Sequence, residues 1–159
     1  MTSAGIQSIL TQTIQLVYNA CHHYRSYSNN MKAVESSYPN FAKMFQKRSI
    51  KLCKLGCGLT SHYQNRFGVA QGASLTGAAP LSNPLDIIDV MLPIEDEILS
   101  ALSELHRGGD ARLQIYVAKF ITKQDKVIND INTLLINLRR LAGGADVSDT
   151  ILLEYDLAL

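Results

Sequence analysis

The feature that most constrains this chain is a set of four long apolar stripes with helical period, joined by two short links and one long one. Within residues 3–28, Ile6, Ile9, Leu10, Ile14, Val17, Cys21 and Tyr24 recur at three- and four-residue steps, which predicts an amphipathic helix. Asn29-Asn30 is a turn signal that predicts its end. A second stretch from Pro39 to Arg66 carries Phe41, Phe45, Leu52, Leu55 and Leu59, with Arg48 interrupting the stripe. Pro39 suits a first helical turn, where a missing N–H costs nothing. Asn83-Pro84 opens a third stretch, through Ile87, Ile88, Met91, Ile94, Ile98, Leu102 and Leu105. Pro93 lies inside it and predicts a kink or loosening near Leu92. Gly108-Gly109 closes this helix, and Asp110 caps a fourth, which runs from Leu113 to Leu138 before Gly143-Gly144. The apolar tail from Ser148 to Leu159 predicts a short fifth helix capped by Ser148 or Asp149.

Link lengths then set the topology. Short links make the first two helices antiparallel, and likewise the last two long ones. The segment from Phe67 to Pro84 is long for a loop in a compact domain and can run the length of a bundle, so the second and third helices come out parallel. The expected fold is all-α: a single domain over residues 1–159, a four-helix bundle with one long crossover and a short C-terminal fifth helix.

Composition narrows the function. Apolar residues make up 47% of the chain, enough for a core, while charged residues at 18% fall below the usual share of about 25%. A surface this poor in charge is either covered by partners or simply bland. The net charge of +1 gives no overall field to draw nucleic acid or a membrane, so neither is expected as a partner. No apolar run approaches the roughly 18 residues of a membrane span. The N-terminal residues show no signal peptide, so a cytoplasmic address is expected, although a secreted chain with its signal removed would look the same.

Two polar residues fall on core stripes. Met91, Glu95, Ile98 and Leu102 step by four, three and four, which turns Glu95 inward; Val117, Phe120, Gln124, Val127 and Ile131 do the same for Gln124. A buried carboxylate is costly unless paired or ligated. A polar site inside the bundle and a hydrogen-bonded Glu–Gln pair that satisfies itself both remain open, and the facing stripes offer no other carboxylate or histidine. His22 and His23 are adjacent and point apart, while His62 and His106 are isolated; surface or capping roles are expected for all four. Cys21, Cys53 and Cys57 give no even disulfide framework; Cys53 and Cys57, one helical turn apart, could join a soft-metal site, but no Cys or His completes it in sequence and ordinary buried thiols are expected. Lys43, Lys47, Lys51 and Lys54 form a basic ridge beside the second stripe, either a solvated face or an anion-facing surface. No phosphate loop, nucleophile triad or dinucleotide fingerprint is present.

Several blocks together resemble a known family. Asn40-Phe41-Ala42-Lys43-Met44-Phe45 with Ser49, Gln64-Asn65-Arg66-Phe67-Gly68, Glu104-Leu105-His106, Lys123-Gln124-Asp125-Lys126, Asn137-Leu138-Arg139-Arg140 and Glu154-Tyr155 stand in the order and spacing of an animal-type ferritin subunit. The resemblance covers nearly the whole chain. It implies a hollow shell of 24 subunits that stores oxidised iron, with other ferritin subunits as partners and iron as stored mineral. It also implies losses. The ferroxidase glutamate of the first helix falls on Val17, and the Glu-x-x-His pair of the second falls on Leu52 and Leu55. Glu95, Gln124 and Tyr24 match retained site positions, so any metal would be expected at this remnant. The carboxylates that nucleate mineral fall on Lys47, Ile50, Lys51 and Lys54, and the acidic pair of the three-fold channel falls near Gln114 and Val117.

The expected function is a structural subunit without catalytic activity, co-assembled with a ferroxidase-active subunit. One alternative is a repurposed cage or bundle that holds anionic cargo on the Lys47/Lys51/Lys54 ridge. Another is a ferroxidase with a degenerate site at Glu95, Gln124, Tyr24 and Cys21.

Overall fold

The computed structural model describes residues 2–33 and 37–159. It is all-helical among these residues: α1 (Ser3–Ala33), α2 (Pro39–Phe67), α3 (Pro84–Gly108), α4 (Ala111–Leu141) and α5 (Asp149–Ala158). The caps follow the sequence. Asn83 Oδ1 accepts from Leu85 N at 2.9 Å, Asp110 Oδ1 from Leu113 N at 2.9 Å and Ser148 Oγ from Ile151 N at 3.3 Å. Each places a side-chain oxygen on a donor that the first helical turn leaves unpaired.

One expectation fails locally. The first helix does not end at Asn29-Asn30 but continues to Ala33. Tertiary packing overrides the turn signal there: Met31 is fully buried, and Asn30 Nδ2 donates to the Leu81 carbonyl at 2.9 Å. The link to α2 falls partly on residues 34–36, outside the described residues. Pro93 lies inside α3, which runs from Pro84 to Gly108, with the proline exposed.

The four long helices pack side by side around one core. Gln7 meets Tyr63 and Ser3 meets Arg66, so α1 and α2 are antiparallel. Arg66 approaches Asp110 at 3.9 Å, placing the start of α4 at the end of α2. The crossover, residues 68–83, climbs back along α1. Ser74 N donates to Gln15 Oε1 at 2.7 Å, Thr76 N donates to Asn19 Oδ1 at 2.9 Å, and His23 Nε2 lies 3.0 Å from the Thr76 carbonyl. One polar side chain per turn of α1 thus satisfies backbone that has no secondary structure of its own. The climb returns the chain to the C-terminal end of α1, so α3 runs parallel to α2, as the link length implies.

Two glycines inside α2 set its contacts. A Cβ on Gly56 would lie 2.9 Å from the Tyr18 ring, and one on Gly58 would lie 1.6 Å from Tyr116 Oη. These glycines let one tyrosine from α1 and the hydroxyl tip of one from α4 approach the α2 backbone closely. The short α5 docks across the N-terminal end of α2, with Leu152 fully buried and Tyr155 stacked on Phe41 at 6.3 Å between ring centroids.

Candidate functional site

The sequence places Glu95, Gln124 and Tyr24 on three different helices, and the structure brings them together. Glu95 is 0% exposed, Tyr24 0% and Gln124 3%. Tyr24 Oη donates to Glu95 Oε1 at 2.9 Å. Gln124 Nε2 donates to the Glu95 carbonyl at 2.9 Å and also to Glu95 Oε2.

The fourth member is Arg48, from α2. Its Nε donates to Glu95 Oε1 at 2.9 Å and its Nη2 to Glu95 Oε2 at 2.6 Å, a two-point fork on the carboxylate. The same Nη2 donates to Gln124 Oε1 at 2.7 Å. Its side chain is 12% exposed, so the pair lies almost wholly out of water. The signal for Arg48 was present in the stripe itself. Phe41, Phe45, Arg48, Leu52, Leu55 and Leu59 step by four, three, four, three and four, so the residue that interrupts the apolar run also points inward. The sequence reading took Arg48 as an interruption and missed its role as the partner of Glu95.

Electrostatically the cluster is closed. The carboxylate accepts from four donors, one for each of its lone-pair positions, and the guanidinium balances its charge. Burial first, then the charge of Glu95 beside it, hold the Tyr24 phenol well above its ordinary pKa, so it stays a donor. Among the described residues no buried side-chain polar atom lacks a partner.

These residues do not fit an iron ion. A cation at Glu95 would have to displace donors already in place and sit beside a fixed positive charge. Val17, Leu52 and Leu55, where the resemblance would place ferroxidase ligands, are packing residues: Val17 and Leu52 are 0% exposed and Leu55 is 2%. No group of three or more His, Cys, Asp or Glu side chains gathers as a metal site among the described residues.

The remaining sequence candidates lie elsewhere. Cys21 is buried with its Sγ 3.4 Å from Ser49 Oγ, whereas Cys57 is exposed and accepts from Tyr18 Oη at 3.4 Å. Of the two thiols expected to be buried, Cys53 is half-buried and Cys57 is exposed, at a position of α2 the core stripe does not use. His23 holds the crossover, and His62 packs against Tyr116 at 4.8 Å. Lys43, Lys47, Lys51 and Lys54 are all exposed. No described helix is long and apolar enough to cross a membrane. A scan against protein-family models finds no match for this chain, and a search of curated proteins finds none either.

Proposed function

We propose that this chain is a non-catalytic structural subunit of a ferritin-type iron-storage cage, co-assembling in the cytoplasm with ferroxidase-active subunits. One observation carries the reading. At the remnant to which the resemblance assigns iron oxidation, the Arg48 guanidinium occupies the Glu95 carboxylate, with Gln124 and Tyr24 completing its hydrogen bonds. The cluster retains three positions of a ferroxidase site and uses them to seal the core.

Three further features support the same reading. The crossover along α1 gives the connectivity of a ferritin-like four-helix bundle, and the short fifth helix agrees with it. Ile115, Ile136, Leu141 and Leu157 are each more than half exposed, which suits a chain whose surface is completed by neighbours. In this reading iron is the cargo of the assembled shell of 24 subunits, held as mineral, with other ferritin subunits as partners. The saturated carboxylate speaks against the degenerate ferroxidase alternative.

The test is the mass of the native particle, by sedimentation and native mass spectrometry with subunit typing. A large closed oligomer, alone or with a second subunit type, is expected. A stable monomer at micromolar concentration would overturn the proposal.

A second reading has its own observation. Helix α2 carries Lys43, Lys47, Arg48, Lys51, Lys54 and Arg66 and no acidic residue, and its lysines are exposed. This favours an anion-holding surface on the α2 face, in a repurposed cage or bundle that does not store iron.

A further inference from the structure

Helices α2 and α4 approach each other through side chains rather than backbones, which leaves a cleft between them. The larger part is a cavity of about 550 Å³ whose walls include Leu52, Leu55, Phe120 and Val127. Lys51 and Lys54 from α2 and Lys123 and Lys126 from α4 stand around it. It adjoins a second hollow of about 250 Å³ that extends to Met44, Ile131 and Leu134, and the two share Arg48, Lys51, Val127 and Asp130. From Leu55 to Met44 the groove follows α2 for about 16 Å.

The charges around it are unequal. Asp130 is the one acid in the lining, and Lys126 pairs with it at 2.9 Å. Arg48 is spent on Glu95. Lys51, Lys54 and Lys123 have no carboxylate within ion-pair distance among the described residues, and Lys123 lies over the Phe120 ring at 5.4 Å. The half-buried Phe120, Val127 and Met44 form an apolar floor beside unpaired cations, which is complementary to a ligand with both properties. Inorganic phosphate gains nothing from the apolar floor, and a cationic or neutral chain gains nothing from the lysines.

We propose that the α2/α4 groove binds an amphiphilic anion: a single linear acyl chain whose carboxylate sits among Lys51, Lys54 and Lys123 and whose chain lies over the half-buried Phe120 and Val127 toward Met44. The proposal rests on the second reading above, that this face is an anion surface, and adds the apolar chain.

The test is calorimetric titration of the purified full chain, in its native assembly, with a series of saturated carboxylates up to decanoate below their micellar concentrations. Decyltrimethylammonium and inorganic phosphate are the comparison probes. Affinity should rise by up to about fourfold per added methylene and level off once the groove is full. Both comparison probes should bind at least about tenfold more weakly than decanoate. In a Lys51→Gln, Lys54→Gln, Lys123→Gln variant that melts like the parent, decanoate affinity should fall about tenfold. Val127→Trp, which fills the floor, should abolish chain binding and leave weak phosphate binding unchanged. Phosphate binding as tight as decanoate would overturn the acyl proposal while leaving an anion surface standing. Decyltrimethylammonium binding as tight as decanoate would overturn it as well, because the lysines would then have no part. No decanoate binding, or no change in the lysine variant, would also overturn it.

Discussion

At Glu95 a carboxylate without access to water is surrounded by donors from three other helices. A buried ion pair of this kind contributes little net stability, because desolvation offsets the attraction; what is costly is to break it. Arg48→Met should therefore destabilise the chain by about 3–5 kcal/mol, since it leaves the buried Glu95 without its partner. Gln124→Leu should cost about 1–3 kcal/mol, because Arg48 still holds the carboxylate. The triple change Arg48→Met, Glu95→Leu, Gln124→Met should cost much less than Arg48→Met alone. Denaturant unfolding of the three variants checks this order, and a triple variant as unstable as Arg48→Met would contradict it. Tyr24 gives a pH signature. Its pKa is raised in the folded state by burial and by Glu95, so its contribution to stability is complete below the unfolded value of about 10 and is lost as pH rises through the folded value. Stability should fall through the alkaline range above about pH 10. Tyr24→Phe, which cannot ionise, should be less stable than the parent at neutral pH and should lose less on going alkaline. Parallel slopes for the two proteins, measured as denaturation midpoints against pH, would contradict the assignment. Glu95 and Gln124 were legible in the sequence because polar residues at core steps stand out. Arg48 was harder to place, since a long cationic side chain on a stripe also suits a residue that reaches back to solvent.

At the scale of elements, α5 has a role its apolar composition does not suggest. Helix α2 begins after Tyr38, which offers no side-chain cap. The cap comes from α5 instead: Asp156, 2% exposed, accepts from Asn40 N at 3.1 Å and from Phe41 N at 2.8 Å. Asn40 Nδ2 donates back to the Asp156 carbonyl at 2.8 Å. A carboxylate at a helix N-terminus meets both unpaired donors and the positive end of the helix dipole. Asp156→Ala should cost about 1 kcal/mol and loosen the tail. Faster hydrogen exchange at Asn40, Phe41 and the α5 amides would show this, and unchanged protection would contradict it. Because the two partners lie more than a hundred residues apart, no local pattern announces the cap. The crossover is a similar case. Its length was legible, but the Gln15, Asn19 and His23 row that holds it reads from sequence as an ordinary polar face of α1. Helix boundaries were read well where a cap or a glycine pair fixes them. They were misread at Asn29-Asn30, where burial of Met31 carries the helix further.

At the scale of the whole molecule, the net charge of +1 conceals a separation. Helix α3 carries Asp86, Asp89, Asp96, Glu97 and Glu104 on its exposed surface, while α2 presents only cations. Link lengths and stripes were enough to give the order and direction of the helices. The exposure of Ile115, Ile136, Leu141 and Leu157 was not explained by the core stripes, which account only for apolar residues turned inward. The proposed function requires that Arg48 close the Glu95, Gln124 and Tyr24 cluster to iron. The most direct measurement is the rate of ferrous iron oxidation in air by the purified chain alone, against buffer and against Glu95→Ala. No acceleration over buffer is predicted for either protein. Fast, saturable oxidation by the parent that Glu95→Ala abolishes would contradict the account.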